Sequence, residues 1–246
     1  MKRFAYLLSN SNGLPGIKKD ISDFRAFLLS CEGGAWNFNE IVERQNLRLE
    51  ELRRDLSLIR CATYDYCIFY YSGHGSYERD TRLYVNDTND NIGENEVLNL
   101  ASKQLSIFDC CRFDAKKKNE KCAFVCENAF NNVHVLRQYC RDKFERLVQA
   151  ALPQKVSLYA CKIGEYATAT SEGSLYTQSL LSTARSLCTV KDVDAITVHR
   201  FCCENVTRNA KIINGELQHP ESSVSPVSGI VGTLPFAIRK PQLMLG

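Results

Sequence analysis

The stretch "IFYYSGHGS" (68–76) sets a histidine, His74, between two glycines, directly after a run of apolar and aromatic residues. A histidine packed into a core has no need of that setting. One that exchanges protons with a substrate does, because glycines let backbone and substrate come close to the ring. A second apolar run, "IFDCCR" (107–112), ends on two adjacent cysteines, and Cys111 lies 37 residues after His74. A thiol is mostly protonated at neutral pH, and only the thiolate attacks well. An imidazole beside it activates it and protonates a leaving amine, which is the chemistry of acyl transfer through a thioester. The oxyanion formed on the way needs N–H donors, best taken from the backbone. The N–H groups of Gly75 and of the attacking cysteine are suitably placed in the sequence to supply them. Neighbours on a strand point to opposite faces, so only one of Cys110 and Cys111 can face His74.

Both motifs need strands behind them, and the hydrophobic pattern supplies these. Residues 3–8, 40–45, 64–71, 82–87, 103–111, 155–161 and 232–240 read as strands, the last marked as an edge by Pro235. Helical periodicity covers 17–29, with Ile17, Ile21, Phe24, Phe27 and Leu28 on one face. It recurs over 47–60, 94–101, 135–152 (stopped by Pro153), 174–187 and 192–206. Strands alternating with helices predict an α/β fold with a mostly parallel sheet. Such sheets carry their sites beyond the C-terminal ends of the strands, where both His74 and the cysteine pair fall. The lysine-rich segment 113–132 and "QHPESSVSPVSG" (218–229) read as loops.

The composition excludes several classes. A hydrophobic fraction of 44% over 246 residues is ordinary globular usage, enough for a sizeable core without metals or disulfides. A net charge of +3 is too mild for a nucleic-acid binder. No apolar run reaches the length of a membrane span. Twelve cysteines fall mostly within apolar segments and, with no secretory segment evident, read as buried free thiols in a reducing cytoplasm.

"YYSGHGS" followed by "IFDCCR" resembles the caspase–metacaspase family of cysteine peptidases, in which a His-Gly ends one strand and an Asp-x-Cys the next. The Asp-x-Cys form and "LPGIKKDISDF" near the N-terminus look more like metacaspases and their bacterial relatives. "SLYACKIGEYATATSEGSLYTQSLL" looks like the start of the family's small subunit, and "QHPESS" with "GTLPFAI" like its end. The resemblance implies a caspase-like sandwich, a mostly parallel six-stranded sheet with helices on both faces, as one domain over 1–246. Its large-subunit-like half would be 1–112, a linker about 113–133, and its small-subunit-like half about 134–246.

The resemblance also implies roles. Alignment on Asp-x-Cys makes Cys111 the nucleophile, with His74 as proton carrier and Gly75 lending an oxyanion donor. Asp109 and Asp20 would line the pocket for the residue before the scissile bond, with Ser72 beside them and Asp23 as the alternative to Asp20. Two carboxylates select a basic side chain, so cleavage after Arg or Lys is expected. Lys116, Lys117, Lys118 and Lys121 then become possible self-cleavage sites. A protein substrate, a separate activating or sensor protein, and a role in cell death or defence are expected by analogy. The oligomeric state stays open.

Rival constellations are weaker. Cys122, Cys126, His134 and Cys140 do not have the paired spacing of a zinc site. His134, His199 and His219 read as satisfied surface or core histidines. Some metacaspases need calcium, but Asp87, Asp90, Glu94 and Glu96 form only a partial acid set and read as a surface loop, so no cofactor is expected. "SNSNGLPG" lacks the Gly-Lys-Ser/Thr ending of a phosphate loop.

Overall fold

A computed structural model describes residues 1–14, 16–113, 134–225 and 234–241. Along the chain run β1 (Arg3–Ser9), α1 (Ile17–Leu29), β2 (Ile41–Gln45), α2 (Leu49–Cys61) and β3 (Tyr64–Ser72). Three short strands follow, β4 (Gly75–Tyr77), β5 (Thr81–Tyr84) and β6 (Asn91–Gly93), and then β7 (Ala101–Asp109). The second segment holds α3 (His134–Ala150), β8 (Gln154–Tyr159), β9 (Ala169–Thr170), β10 (Gly173–Ser174), α4 (Leu175–Leu187), β11 (Val193–Asp194), α5 (Ala195–Asn214) and β12 (Glu221–Ser225). β13 (Pro235–Ala237) comes last among the described residues.

The main sheet has six strands in the order β12-β8-β7-β3-β1-β2. All its pairings are parallel except β12 on β8. Strand alternation divides its side chains between two cores. Ala5, Leu7, Ile68, Tyr70, Leu105, Ile107, Val156 and Leu158 face α1, α3, α4 and α5. Phe4, Tyr6, Leu8, Phe69, Tyr71 and Phe108 face α2 and the β4–β6 hairpins. Strands buried on both faces explain why these segments read as continuous apolar runs. No helix among the described residues is long and apolar enough to cross a membrane.

The expected sheet is present, with one strand misplaced in the sequence reading. The sixth strand is β12, inside the segment 218–229 read as a loop. Its sequence "ESSVS" is polar because it is an exposed edge with no second face to bury. The expected strand 232–240 contributes only Pro235–Ala237, which pairs with β11 outside the main sheet. The expected helix 94–101 shrinks to one 3-10 turn, Glu94–Glu96, because Gln104 instead ties the following backbone at Val97 and Leu100.

α3 shows how tightly the first core is keyed. Phe144 is fully buried between Trp36 and Tyr66, and Gly34 has no side chain because the Phe144 ring occupies the place of a Cβ. Phe144→Ala leaves a cavity that this aromatic cluster cannot close. It is expected to cost about 3–5 kcal/mol, read from the shift in a urea unfolding midpoint.

Candidate active site

Strand register places the two chemical motifs. β3 and β7 pair in parallel with Ser72 opposite Asp109. His74 and Cys111 therefore each lie two residues beyond the last paired positions, on adjacent strand ends. The backbones then lock together. Gly73 N–H donates to the Asp109 carbonyl (3.1 Å). A Cβ on Gly75 would stand 2.7 Å from Cys110 Sγ and 2.8 Å from the Cys111 carbonyl, so the glycine after the histidine is required by close approach.

The imidazole is oriented from a third strand end. His74 Nε2 lies 2.6 Å from the Asn12 carbonyl, which only accepts, so Nε2 carries a hydrogen. The His74 carbonyl is held by Tyr84 N–H (3.1 Å) and by the Tyr71 hydroxyl (2.6 Å). Asn12 was not identified from the sequence, because a backbone carbonyl carries no side-chain signature.

The two cysteines have different surroundings. Cys110 is buried in the α2-side core, and burial holds its thiol well above the usual range. Cys111 is half-buried, and its Sγ accepts the N–H of Ala167 (3.3 Å). Burial pushes the Cys111 thiol up to about 11, opposed by that N–H. At neutral pH Cys111 is thus held as a thiol. Iodoacetamide labelling of Cys111, followed by mass spectrometry, is expected to keep rising with pH toward 11 rather than level off near the ordinary thiol value of about 8.5.

Arg112 fixes the turn that bears Cys111. Its buried guanidinium reaches Thr81 Oγ1 (3.1 Å), the Cys161 carbonyl (3.3 Å) and Glu221 (3.0 Å), and lies over the Tyr159 ring. It thereby joins the β5 hairpin, the β8 end and the antiparallel edge strand around the cysteine.

The expected pocket residues converge on the start of α4. Asp20, Ser72 and Asp109 are all buried. Asp20 accepts from Ser72 Oγ (3.0 Å), from Ser174 N–H (2.9 and 3.0 Å to its two oxygens) and from Gln178 Nε2 (3.3 Å). Asp109 accepts from the N–H and hydroxyl of Thr177 (3.1 and 2.5 Å). Its second oxygen, Oδ1, is buried and makes no close hydrogen bond, with the Ser174 side chain near the carboxylate. Burial, and then the neighbouring Asp109, hold Asp20 well above the carboxylate range; burial raises Asp109 to about 6. Gly173 sits at φ +107°, and a Cβ there would overlap Asp20 Oδ1. Asp23 lies outside this group, bonded to Lys19 and Gln178 (both 3.0 Å).

The remaining candidates are scattered. Lys116, Lys117, Lys118, Lys121, Cys122 and Cys126 lie outside the described residues. Cys140 packs in the first core. Asp90 accepts from Asn86 (3.0 Å), and Glu96 pairs with Arg53 (3.2 Å). His199 is buried with Nδ1 2.7 Å from the Tyr176 hydroxyl, and His219 Nδ1 is 2.7 Å from Glu165. Ser174, Thr177, Gln178 and the Ala167 N–H were missed as site contacts. The available signal was a serine, Ser174, at the first turn of a predicted helix.

Comparison with known proteins bears on the family and the fold. Residues 2–227 match the family model described as the caspase domain. Among solved structures the chain is similar to caspase-1 from Spodoptera frugiperda, with a TM-score of 0.59 at 14% identity over 99% of this chain and 92% of that one. It is also similar to a protein from Geobacter sulfurreducens, with a TM-score of 0.55 at 13% identity over 98% of this chain and all of that one. At such identities these likenesses speak for the fold. No curated protein sequence matches the chain.

Proposed function

Since the chain belongs to the caspase domain family of cysteine peptidases, we propose that it is an endopeptidase cutting proteins after Arg or Lys through a Cys111–His74 dyad. One observation carries the reading. The Ser72–Asp109 register sets His74, the half-buried thiol of Cys111 and the buried Asp109 at adjacent strand ends, and Asp20 joins them from α1 through Ser72 and Ser174.

The chemistry follows from the groups present. His74 Nδ1 takes the Cys111 proton as Sγ bonds to the scissile carbonyl carbon. The carbonyl electron pair moves to oxygen, held by the N–H groups of Gly75 and Cys111. The C–N bond breaks, His74 gives its proton to the amine, and a thioester remains. Water, deprotonated by His74, then releases the acid and restores the thiol. Burial opposes forming the thiolate and the Ala167 N–H favours it, so proton removal and attack are expected to go together.

Asp20 and Asp109 would pair with a guanidinium or ammonium. Both are covered by the β9–β10 hairpin and the start of α4, so an entering side chain has to displace donors now held by the protein. A closed resting site fits an enzyme that awaits an activating protein. Fluorogenic peptides ending in Arg, Lys or Asp test the reading. Cleavage after Arg or Lys is expected; cleavage after Asp alone keeps the peptidase and discards the pocket. Failure of all three peptides, together with no labelling of Cys111 by a peptidyl electrophile, points to a binding scaffold instead.

A further inference from the structure

The two pocket carboxylates are unusual in what surrounds them. Every donor to them among the described residues is neutral: Ser72, Ser174, Thr177 and Gln178. The other ionisable groups facing them are tyrosine hydroxyls and thiols. Tyr70 of β3 sits behind Thr177 (2.8 Å), and Tyr176 of α4 is bonded to His199 of α5. Cys110, Cys111 and Cys161 lie at the strand ends and Cys202 on α5, each sensing the charge of Asp109. On α1, Lys19 is the neighbouring cation, and it pairs with Asp23 instead.

Two full negative charges on adjacent strand and helix ends, out of water and without a cation, repel one another and are poorly solvated. Neutral donors at the first turn of α4 satisfy most of one carboxylate. They leave Asp109 Oδ1 without a close hydrogen bond, the Ser174 side chain lying near that carboxylate. An oxygen in that position is better occupied by hydrogen than left bare, since a protonated carboxyl can donate where a carboxylate only accepts.

We propose that Asp20 and Asp109 share one proton in the substrate-free site, and that a basic side chain entering between them expels it. This rests on the basic-specific reading above and adds a linkage to it. The balance is simple: one carboxyl–carboxylate pair plus one guanidinium gives two carboxylates, one paired guanidinium and one proton released to solvent. The pair is therefore tuned to the charge of its ligand. Empty, it carries one negative charge, which the neutral donors can hold; filled, it carries two, one of them neutralised by the guest. Affinity for a basic side chain is then expected to rise by up to about tenfold per pH unit while the proton is still held, and to level off above that range. A neutral isostere gains nothing from a higher pH.

The test uses the full chain carrying Cys111→Ala, so that peptide binds without being cut. Calorimetric titrations at about pH 6.5, in buffers of different ionisation enthalpy, count the protons exchanged on binding. The probes are three acetylated peptides that differ only at the scissile residue: Arg, its neutral isostere citrulline, and Asp. Release of about one proton with the Arg peptide and none with citrulline is the expected result. Adding Asp20→Asn together with Asp109→Asn should remove both the proton release and the preference for the Arg peptide over citrulline. Tight binding of the Arg peptide with no proton exchange would sink the shared proton and leave basic specificity standing. Binding of the Asp peptide alone, or of no peptide, would overturn the specificity and this linkage together.

Discussion

Cys111→Ala is expected to abolish peptide hydrolysis, by about 10⁴-fold or more in kcat, while Cys110→Ala keeps it within about twofold. The two sulfurs are neighbours in sequence, yet the strand end sends them to opposite sides. Cys110 Sγ packs where Gly75 lacks a Cβ, within the core against α2, and has no path to a substrate. Losing it removes a small buried group and should cost only about 1–2 kcal/mol of stability. Cys111 Sγ is partly exposed and faces the N–H of Ala167. Initial rates with an Arg-ending fluorogenic peptide, set beside urea unfolding curves, separate the effects. Activity lost with Cys110→Ala in a protein of unchanged stability would show that the other sulfur attacks.

The second large effect lies in the carboxylates. Asp20→Asn and Asp109→Asn each keep an oxygen acceptor for the α4 donors while removing the charge. Each is expected to lower kcat/KM for Arg and Lys peptides by about 10²–10³-fold, because a charge-assisted pair made with the substrate is lost. Peptides with a neutral residue there should change little. Stability should move the other way. Asp109 has its folded value raised to about 6 from an ordinary value near 3.8, and Asp20 is raised as well. A group raised on folding contributes stability that is complete below the unfolded value and is lost as pH climbs through the folded one. This contribution fades from about pH 4 to 6 in the parent protein and is absent in Asp109→Asn. The variant is thus expected to be the more stable of the two at pH 7 and to lose that advantage at pH 4, as melting temperatures across pH would record. A site held against its own stability is the usual signature of function.

Much of this protein was determined by the sequence alone. Continuous apolar runs along 3–8, 64–71 and 103–111 fix strands buried on both faces, and helical spacing over 17–29 fixes the face of α1 that covers them. Because strand neighbours point apart, the motif around Asp109, Cys110 and Cys111 already implied one outward sulfur and one inward. The glycines around His74 already implied a close approach. These are local consequences of backbone geometry, and no distant partner is needed to read them.

Tertiary structure decided the rest, for reasons that act across the chain. Which residue of β3 stands opposite which residue of β7 depends on packing against helices far away in sequence. That register sets Ser72 beside Asp109 and, two residues on, His74 near Cys111. Asp20 reaches the same point only because α1 and α4 meet on one face of the sheet. Ser174 and Thr177 become pocket donors because a helix start leaves N–H groups without intrahelical partners, wherever the fold happens to aim them. The antiparallel edge strand β12 was invisible for the opposite reason: half-exposed pairing requires no hydrophobic pattern, so its polar sequence could report only that it met water.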